Sequence, residues 1–422
     1  MMLWIGAIII IATVVAIAKR QETRLILFLA GTLMAILAGH PMAIIDSFVN
    51  TMTSKSFVPV ICIVMGFVFV LKITKCDAHL VHALSSSIGR FPRLLIPGAI
   101  IVTFLVGIPL TSAAALGAAV GSIVIPTLIA NGVRPAMAAS AVLAGSWGCM
   151  FSPGSAHLPV IAKLADTDIV SVMINHALAT VVCLAIVVIG LTLIAAFLKE
   201  DGRGSSPAAI TAATPAEKFK VNYVKAFVPI LPLLLLLLAS NQIGLIPKIF
   251  QSVPLCMFIG IAACFAVTLH KPAEISKEFF AGMGDAYGSI IGIIIAASVF
   301  TAGMDAIGLT SALTNAMKET QAMANISATF GPFIISVLSG SADATVMAFN
   351  TTITPHAEQF GLHVSQLGSQ AFLAGVLGRS MSPVAGVAII CAGMAGVHPF
   401  ELARRNCLPM LVAAVVAMFI LL

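Results

Sequence analysis

The chain has 422 residues, of which 60% are hydrophobic and only 9% are charged, with a formal net charge of +6. A soluble domain is ordinarily about a quarter charged, so this composition excludes a soluble globular protein. The positive balance is typical of the cytoplasmic side of a membrane protein, and it does not indicate a nucleic-acid partner. Apolar runs of bilayer-crossing length, about 17–20 residues, recur throughout and predict an all-α, multi-pass membrane protein in contact with lipid.

The first half, residues 1–198, is predicted to contain scaffold spans, a hairpin and a broken helix. Apolar or amphipathic runs fall in chain order near 2–18, 25–39, 57–73, 76–91, 94–110, 113–130, 135–165 and 170–198. The polar pair Thr111 and Ser112 divides 94–130, which we interpret as a re-entrant hairpin that enters and leaves by one face. The run 135–165 is interpreted as one span interrupted near its middle.

A polar linker follows at residues 199–223, rich in Gly, Ser, Pro and charge. The second half, residues 224–422, then repeats the order of the first. Its runs fall near 224–241, 252–269, 285–303, 305–322, 326–340, 342–360, 364–396 and 402–422. A second hairpin is expected over about 326–360, divided at Gly340 and Ser341, and a second broken helix over 364–396. The removal of each hairpin and of each amphipathic stretch, 76–91 and 305–322, from the count leaves about five spans per half.

One eleven-residue phrase occurs twice, 230 positions apart. Residues 143–153 read LAGSWGCMFSP, and residues 373–383 read LAGVLGRSMSP. Ser112, Pro126 and Gly132 also recur in register, at Ser341, Pro355 and Gly361. An ordered match of this kind predicts an internal structural repeat, as many transporters contain. Because five spans are an odd number, the two halves would have inverted topology.

Basic residues predict the orientation of the chain in its membrane. With both termini outside, 17 Lys and Arg residues lie on the cytoplasmic side, whereas four lie outside: Lys55, Lys163, Lys248 and Lys318. The positive-inside rule favours this arrangement over its opposite.

The repeated phrases predict a site for an anion. Serine is a preferred helix cap, and proline is favoured at the following position. Ser152–Pro153 and Ser382–Pro383 are therefore expected to end one half-helix and begin another. Inverted symmetry would bring four such helix starts together at the membrane midplane, where their positive ends favour a carboxylate. The alternative is that each Ser-Pro pair only kinks a helix.

Arg379 is the one basic residue that the charge count leaves inside the membrane. A buried arginine needs a partner, and two interpretations stay open: Arg379 pairs with Asp343, or it holds a substrate carboxylate through its planar fork. The predicted substrate-binding set is Thr111, Ser112, Ser152, Pro153, Ser341, Asp343, Arg379, Ser380, Ser382 and Pro383. The predicted lining residues are His157, Asn350 and Thr351, although His157 could instead relay protons, and Asn350 and Thr351 could instead serve helix packing.

Three classes of protein compete for this pattern: a secondary transporter, a membrane-embedded enzyme and a channel. An enzyme would need clustered His, Asp, Glu or Cys within the spans, and a channel would need a continuous polar stripe. The sequence has neither feature, and no nucleotide-binding loop. Its eight cysteines are scattered singly, so no metal site or cofactor is expected. A secondary transporter with sodium or a proton as coupling ion is the prediction.

Residues Leu377 to Leu411 (LGRSMSPVAGVAIICAGMAGVHPFELARRNCLPML) closely resemble the type C Dcu family of anaerobic four-carbon-dicarboxylate carriers, within the ion-transporter superfamily. Ser112 to Pro153 is similar but looser. The resemblance implies inverted repeats, paired hairpins and elevator-type transport of fumarate, succinate, malate or aspartate by a homodimer.

The chain departs from this family at the tip of the second hairpin. The tip tends to read G-S-G-N-A in the family, whereas this chain has Ala342 and Asp343 after Gly340 and Ser341. The extra acid suits a coupling cation, a proton or a substrate amine, so an amino-acid-like or sugar-acid substrate stays open as an alternative.

Overall fold

A computed structural model describes residues 2–19, 21–85, 94–202, 219–241, 243–312 and 321–422. Within these ranges all regular elements are helices, apart from one isolated bridge between Val133 and Asp201. The predicted all-α class is therefore confirmed. Parts of three predicted segments lie outside the described residues: 86–91 of the first amphipathic stretch, 203–218 of the linker and 313–320 of the second amphipathic stretch.

The first half contains ten described α-helices. They are α1 (Met2–Ala18), α2 (Thr23–Leu37), α3 (Met42–Met52), α4 (Val58–Thr74), α5 (Cys76–Ser85), α6 (Leu95–Val106), α7 (Ala113–Ala130), α8 (Pro135–Ala144), α9 (His157–Leu164) and α10 (Ile169–Phe197). A 3₁₀ turn, Gly148–Phe151, lies between α8 and α9. The predicted interruption of 135–165 is therefore present, and only α3 falls where no run was predicted.

The second half contains ten further α-helices among the described residues. They are α11 (Tyr223–Phe227), α12 (Leu231–Ala239), α13 (Val253–Thr268), α14 (Pro272–Ala286), α15 (Gly292–Ala306), α16 (Gln321–Ser339), α17 (Asp343–Thr352), α18 (Val364–Arg379), α19 (Gly386–Ala395) and α20 (Pro399–Leu421). Three 3₁₀ turns accompany them: Val228–Ile230, Lys248–Gln251 and Thr354–Phe360.

The longest helical rod differs from the sequence prediction. A span was predicted at 285–303, but α14 and α15 form one continuous helix of 35 residues, Pro272–Ala306. The two are joined by a π-helical turn at Tyr287–Ile291. The first part of this helix, PAEISKEFF, contains charged residues, so the prediction from apolar runs did not include it. A π turn is rare and is frequent at functional sites.

Helix length and composition identify four described helices that can cross a membrane alone: Ala113–Ala130, Ile169–Phe197, Pro272–Ala306 and Pro399–Leu421. The pair α4 and α5 meets at 75° and makes a fifth if it is one span. Other apolar helices of 10–17 residues accompany them. The chain is thus a multi-pass membrane protein, and the division into five spans and a re-entrant hairpin per half stays a prediction.

The helices pack into two bodies, each with helices from both halves. In the first, called the core body, α6 to α10 pack with α16 to α20, most extensively through α7 with α19 and α10 with α20. In the second, called the scaffold body, α1 to α5 pack with α11 to α15, chiefly through α2 with α15 and α4 with α14. The two bodies therefore do not correspond to the two halves of the sequence that the linker separates.

The repeated phrases owe their glycines to close helix approach. A Cβ at Gly148 would lie 1.9 Å from the Phe104 carbonyl oxygen, and one at Gly378 would lie 2.3 Å from the Phe333 carbonyl oxygen. Phe104 lies on α6 and Phe333 on α16, the matching helices of the two halves. Only glycine permits backbone contact at this distance, so the same residue serves the same packing role in each half.

A buried ion pair joins the end of the first half to the last helix. Arg405 on α20 donates to both Glu200 carboxylate oxygens, at 2.7 and 2.6 Å. Glu200 is 3% exposed and Arg405 is 9% exposed. A bidentate pair of this kind has the geometry that favours a guanidinium and a carboxylate. It fixes the start of the linker against the core body.

Candidate functional site: a polar cavity between the two bodies

A cavity of about 370 Å³ lies where the core body meets the scaffold body. The core body supplies four short segments, and each is the start of a helix. They are Thr111–Ala114 at α7, Gly154–His157 at α9, Gly340–Asp343 at α17 and Gly386–Val387 at α19. The scaffold body supplies Met65, Asp285, Ser289, Ile290 and Ile293.

Three of these helix starts have no side-chain cap. Ser112 caps α7, because its Oγ accepts the Ala115 amide at 3.4 Å. The N-cap residues of α9, α17 and α19 are Ala156, Ala342 and Ala385, whose side chains accept no hydrogen bond. Uncapped amides and the positive ends of the helix dipoles favour an anion. The cavity is therefore electrostatically suited to a carboxylate.

Arg379, the last residue of α18, reaches this cavity from a buried position. Its side chain is 8% exposed, and its Nη2 donates to the Ser146 carbonyl oxygen at 2.7 Å. Its Nε is buried without a hydrogen-bond partner. Ser146 belongs to the first repeated phrase and Arg379 to the second, so the two phrases are in direct contact. The guanidinium keeps donors for a ligand, because the carbonyl contact uses only one.

Asp343 pairs with His157 and not with Arg379. The His157 Nε2 lies 3.1 Å from Asp343 Oδ1. Among the described residues Arg379 forms no ion pair at all. Of the two interpretations left open, the pairing of Arg379 with Asp343 is not present in this structure, where His157 contacts that carboxylate instead. This arrangement favours the other interpretation, in which Arg379 binds a substrate carboxylate.

The predicted site residues separate into two groups. Thr111, Ser112, His157, Ser341, Asp343 and Arg379 line the cavity. The others lie outside its lining: Ser152, Pro153, Asn350, Thr351, Ser380, Ser382 and Pro383. Ser152 and Pro153 instead line a neighbouring apolar cavity of about 190 Å³.

The serines of the two Ser-Pro pairs stabilise turns rather than helix starts. Ser152 Oγ accepts the Gly154 amide at 3.3 Å, and Ser382 Oγ accepts the Val384 amide at 3.3 Å. Ser382 Oγ also donates to the Val337 carbonyl oxygen at 2.7 Å. The helices that follow begin later, at His157 and Gly386. The predicted caps at Ser152 and Ser382 are therefore wrong, because each proline is followed by a further turn.

The remaining predicted residues make packing contacts. Asn350 accepts a hydrogen bond from Thr354 Oγ1 at 2.8 Å, and Thr351 Oγ1 lies 3.2 Å from Thr301 Oγ1 on α15. Ser380 Oγ lies 3.4 Å from Ser146 Oγ and donates to the Val376 carbonyl oxygen at 2.8 Å. These contacts account for the polarity of the three side chains without a ligand.

Asp285 and Ser289 line the cavity but escaped the sequence prediction. Both are exposed and lie on the long rod, beside and within the π turn. Asp285 is the first residue of the span predicted at 285–303, and an acid at the end of a span does not by itself indicate a site. Because α14 and α15 form one continuous helix, Asp285 lies in its middle and faces the cavity with the helix starts. An acid adjoining a long apolar run was the available signal.

A helical, multi-pass architecture with a polar cavity at the meeting point of two helix bodies is typical of a membrane transporter. The fold is shared with a solved transporter, YdaH of Alcanivorax borkumensis. The TM-score is 0.54 over 88% of this chain and 87% of that one, at 16% sequence identity.

The family follows from the sequence. The model of the family DcuC, "C4-dicarboxylate anaerobic carrier", matches residues 1–422. A putative uncharacterized transporter of Haemophilus influenzae is 37% identical over 280 residues, which are 64% of this chain and all of the relative. The anaerobic C4-dicarboxylate transporter DcuC of Escherichia coli K12 is 25% identical over 77% of this chain and 71% of its own length. The chain belongs to the DcuC family of transporters, and it is not an enzyme.

Proposed function

We propose that the protein carries small carboxylates, most simply four-carbon dicarboxylates such as fumarate, succinate, malate or aspartate, across a bacterial inner membrane. The observation that carries the proposal is the cavity in which three uncapped helix starts meet the buried guanidinium of Arg379. Family membership supports the substrate class, because the curated relatives with a named activity are C4-dicarboxylate transporters.

The division into two bodies suggests how the substrate crosses. All the helix starts and Arg379 belong to the core body, whereas Asp285 and Ser289 belong to the scaffold body. An elevator motion would carry the core body and its ligand past a fixed scaffold. In this proposal a homodimer provides the scaffold, and sodium or a proton is the coupling ion.

A second candidate is an amino-acid-like substrate, because two carboxylates, Asp285 and Asp343, line the cavity beside one guanidinium. Either acid could accept a substrate ammonium group. Counterflow of succinate against serine, an amino acid with a single carboxylate, separates the two candidates, because aspartate satisfies both.

Arg379→Lys tests the proposed clamp. Lysine keeps the charge but loses the planar fork, and removal of a buried charged partner costs about 2–5 kcal/mol. We expect wild-type protein in proteoliposomes to exchange labelled succinate, and the variant to show an apparent affinity weakened by roughly 30-fold or more. The exposed Arg404→Lys on α20 is the matched control. Wild-type affinity in Arg379→Lys would contradict the proposal.

A further inference from the structure

We propose that His157 is the second carboxylate anchor of the substrate site, and that Asp343 occupies this anchor while the cavity is empty. The inference deepens the proposed function and rests on it. A dicarboxylate has two charged ends, and Arg379 accounts for only one of them.

The contact between His157 and Asp343 lies where two helix starts meet. His157 is the first residue of α9 and Asp343 is the first residue of α17. The N-cap residues Ala156 and Ala342 make no side-chain hydrogen bond, and both helix starts line the cavity, so the positive ends of both helix dipoles act on it. The His157 ring and two helix N-termini together form an anion site, and the carboxylate found there is that of Asp343.

The two partners differ in their freedom to move. The His157 side chain is 2% exposed, and its ring packs on Phe372 with centroids 4.4 Å apart. The Asp343 side chain is 62% exposed toward the cavity. Asp343 can therefore rotate away without repacking, whereas His157 stays in place. A substrate carboxylate that replaces Asp343 would find Nε2 already oriented.

The Nε2 atom of His157 can donate a hydrogen bond to a substrate carboxylate in the position that Asp343 Oδ1 occupies, 3.1 Å away. The other titratable or charged groups that line the cavity are Arg379, Cys149 and Asp285. Behind the site, His176 on α10 contacts the Met150 carbonyl oxygen at 3.0 Å, and Lys163 at the far end of α9 lies over the Phe57 ring.

Binding of succinate and of butyrate to the purified protein tests the inference, since the two acids differ by one carboxylate. A hydrogen bond to a charged group contributes enough for about a 10- to 100-fold change in affinity. We expect His157→Gln to weaken succinate binding by this factor and to leave butyrate binding nearly unchanged. The exposed His363→Gln is the matched control and should behave as wild type.

The sign of a second variant separates this inference from its rivals. Asp343→Asn removes the internal competitor and should tighten succinate binding several-fold. Weaker succinate binding in Asp343→Asn would overturn the proposal, because Asp343 would then serve the ligand or a cation. Equal losses for succinate and butyrate in His157→Gln would overturn it as well. If His157→Gln fails to fold, the Asp343→Asn result decides. A wild-type protein that binds no carboxylate would instead refute the proposed function.

Discussion

At the scale of single residues, the asymmetry between the two phrases has a structural reason. Arg379 stands where the first phrase has Cys149, and it contacts the first phrase through the Ser146 carbonyl oxygen at 2.7 Å. The carbonyl holds the guanidinium without neutralising it. A second arginine at position 149 would bring another positive charge beside the first in a site that already has three uncapped helix starts. One arginine therefore suffices, because the N-termini of the helices supply the rest of the positive potential in the cavity.

A double variant tests whether Arg379 acts on substrate or balances Asp343. If the two charges only compensated each other, Arg379→Met with Asp343→Asn would restore transport, since no buried charge would lack a partner. Because Asp343 pairs with His157 at 3.1 Å, we expect no rescue: the double variant should stay far below wild type in succinate counterflow, even with the several-fold gain in binding expected from Asp343→Asn. Recovery of exchange to near wild-type rates in the double variant would disprove the clamp.

At the scale of elements, glycine sets how closely the broken helices approach their neighbours. The α18 backbone at Gly378 contacts the α16 backbone at Phe333, and Gly148 contacts Phe104 of α6 in the same way. The neighbouring atoms are backbone carbonyl oxygens, which cannot turn aside as a side chain could. These contacts hold the ends of α18 and of the 3₁₀ turn at the cavity, so packing and site geometry depend on the same residues.

We expect Gly378→Ala to lower the stability of the protein. The added Cβ would lie 2.3 Å from a backbone oxygen, and overpacking of this kind typically costs about 1–3 kcal/mol. Thermal unfolding of the purified protein followed by fluorescence should show a clear fall in Tm. Gly393→Ala on α19 is the matched control, since a Cβ there meets nothing within 4 Å and alanine favours a helix. Equal Tm values for both variants would show that the α18–α16 contact is not tight.

At the scale of the whole molecule, each body combines helices from both halves of the chain. The long rod Pro272–Ala306 crosses the scaffold body and presents Asp285 to the cavity, whereas the helix starts all lie in the core body. A site with one wall on each body can change its exposure when the bodies slide. This division is what an elevator-type motion requires.

The orientation of the whole molecule gives a prediction that is independent of the site. The 17-to-4 distribution of basic residues predicts that the 199–223 linker faces the cytoplasm and that both termini face outward. A cysteine introduced at Ser205, in a background without native cysteines, should react with an impermeant maleimide only after the cells are opened. A cysteine introduced at the amino terminus is the opposite control and should react in intact cells. Labelling of Ser205→Cys from outside would reverse the assigned topology.

The sequence by itself determined the class of protein and the polar interruptions of its apolar runs, and it predicted Arg379 as the residue that binds an anion. Composition and the length of apolar runs reflect whether a segment meets lipid or water, so they can be interpreted without knowledge of the tertiary structure. An unpaired polar group in lipid is energetically unfavourable. For this reason the sequence alone also draws attention to the polar pairs Thr111–Ser112 and Gly340–Ser341 and to Arg379.

Only the tertiary structure decided which polar groups share one cavity. In the tertiary structure Asp343 contacts His157 and not Arg379. The helices that follow Ser152 and Ser382 begin several residues later, at His157 and Gly386. Asp285, which was predicted to begin a span, lies within a longer helix and lines the cavity. These outcomes depend on distances between segments far apart in the chain: His157 and Asp343 are separated by 186 positions, and Ser146 and Arg379 by 233. Local sequence carries no information on such distances, since they are set by the packing of two bodies that each draw on both halves of the chain.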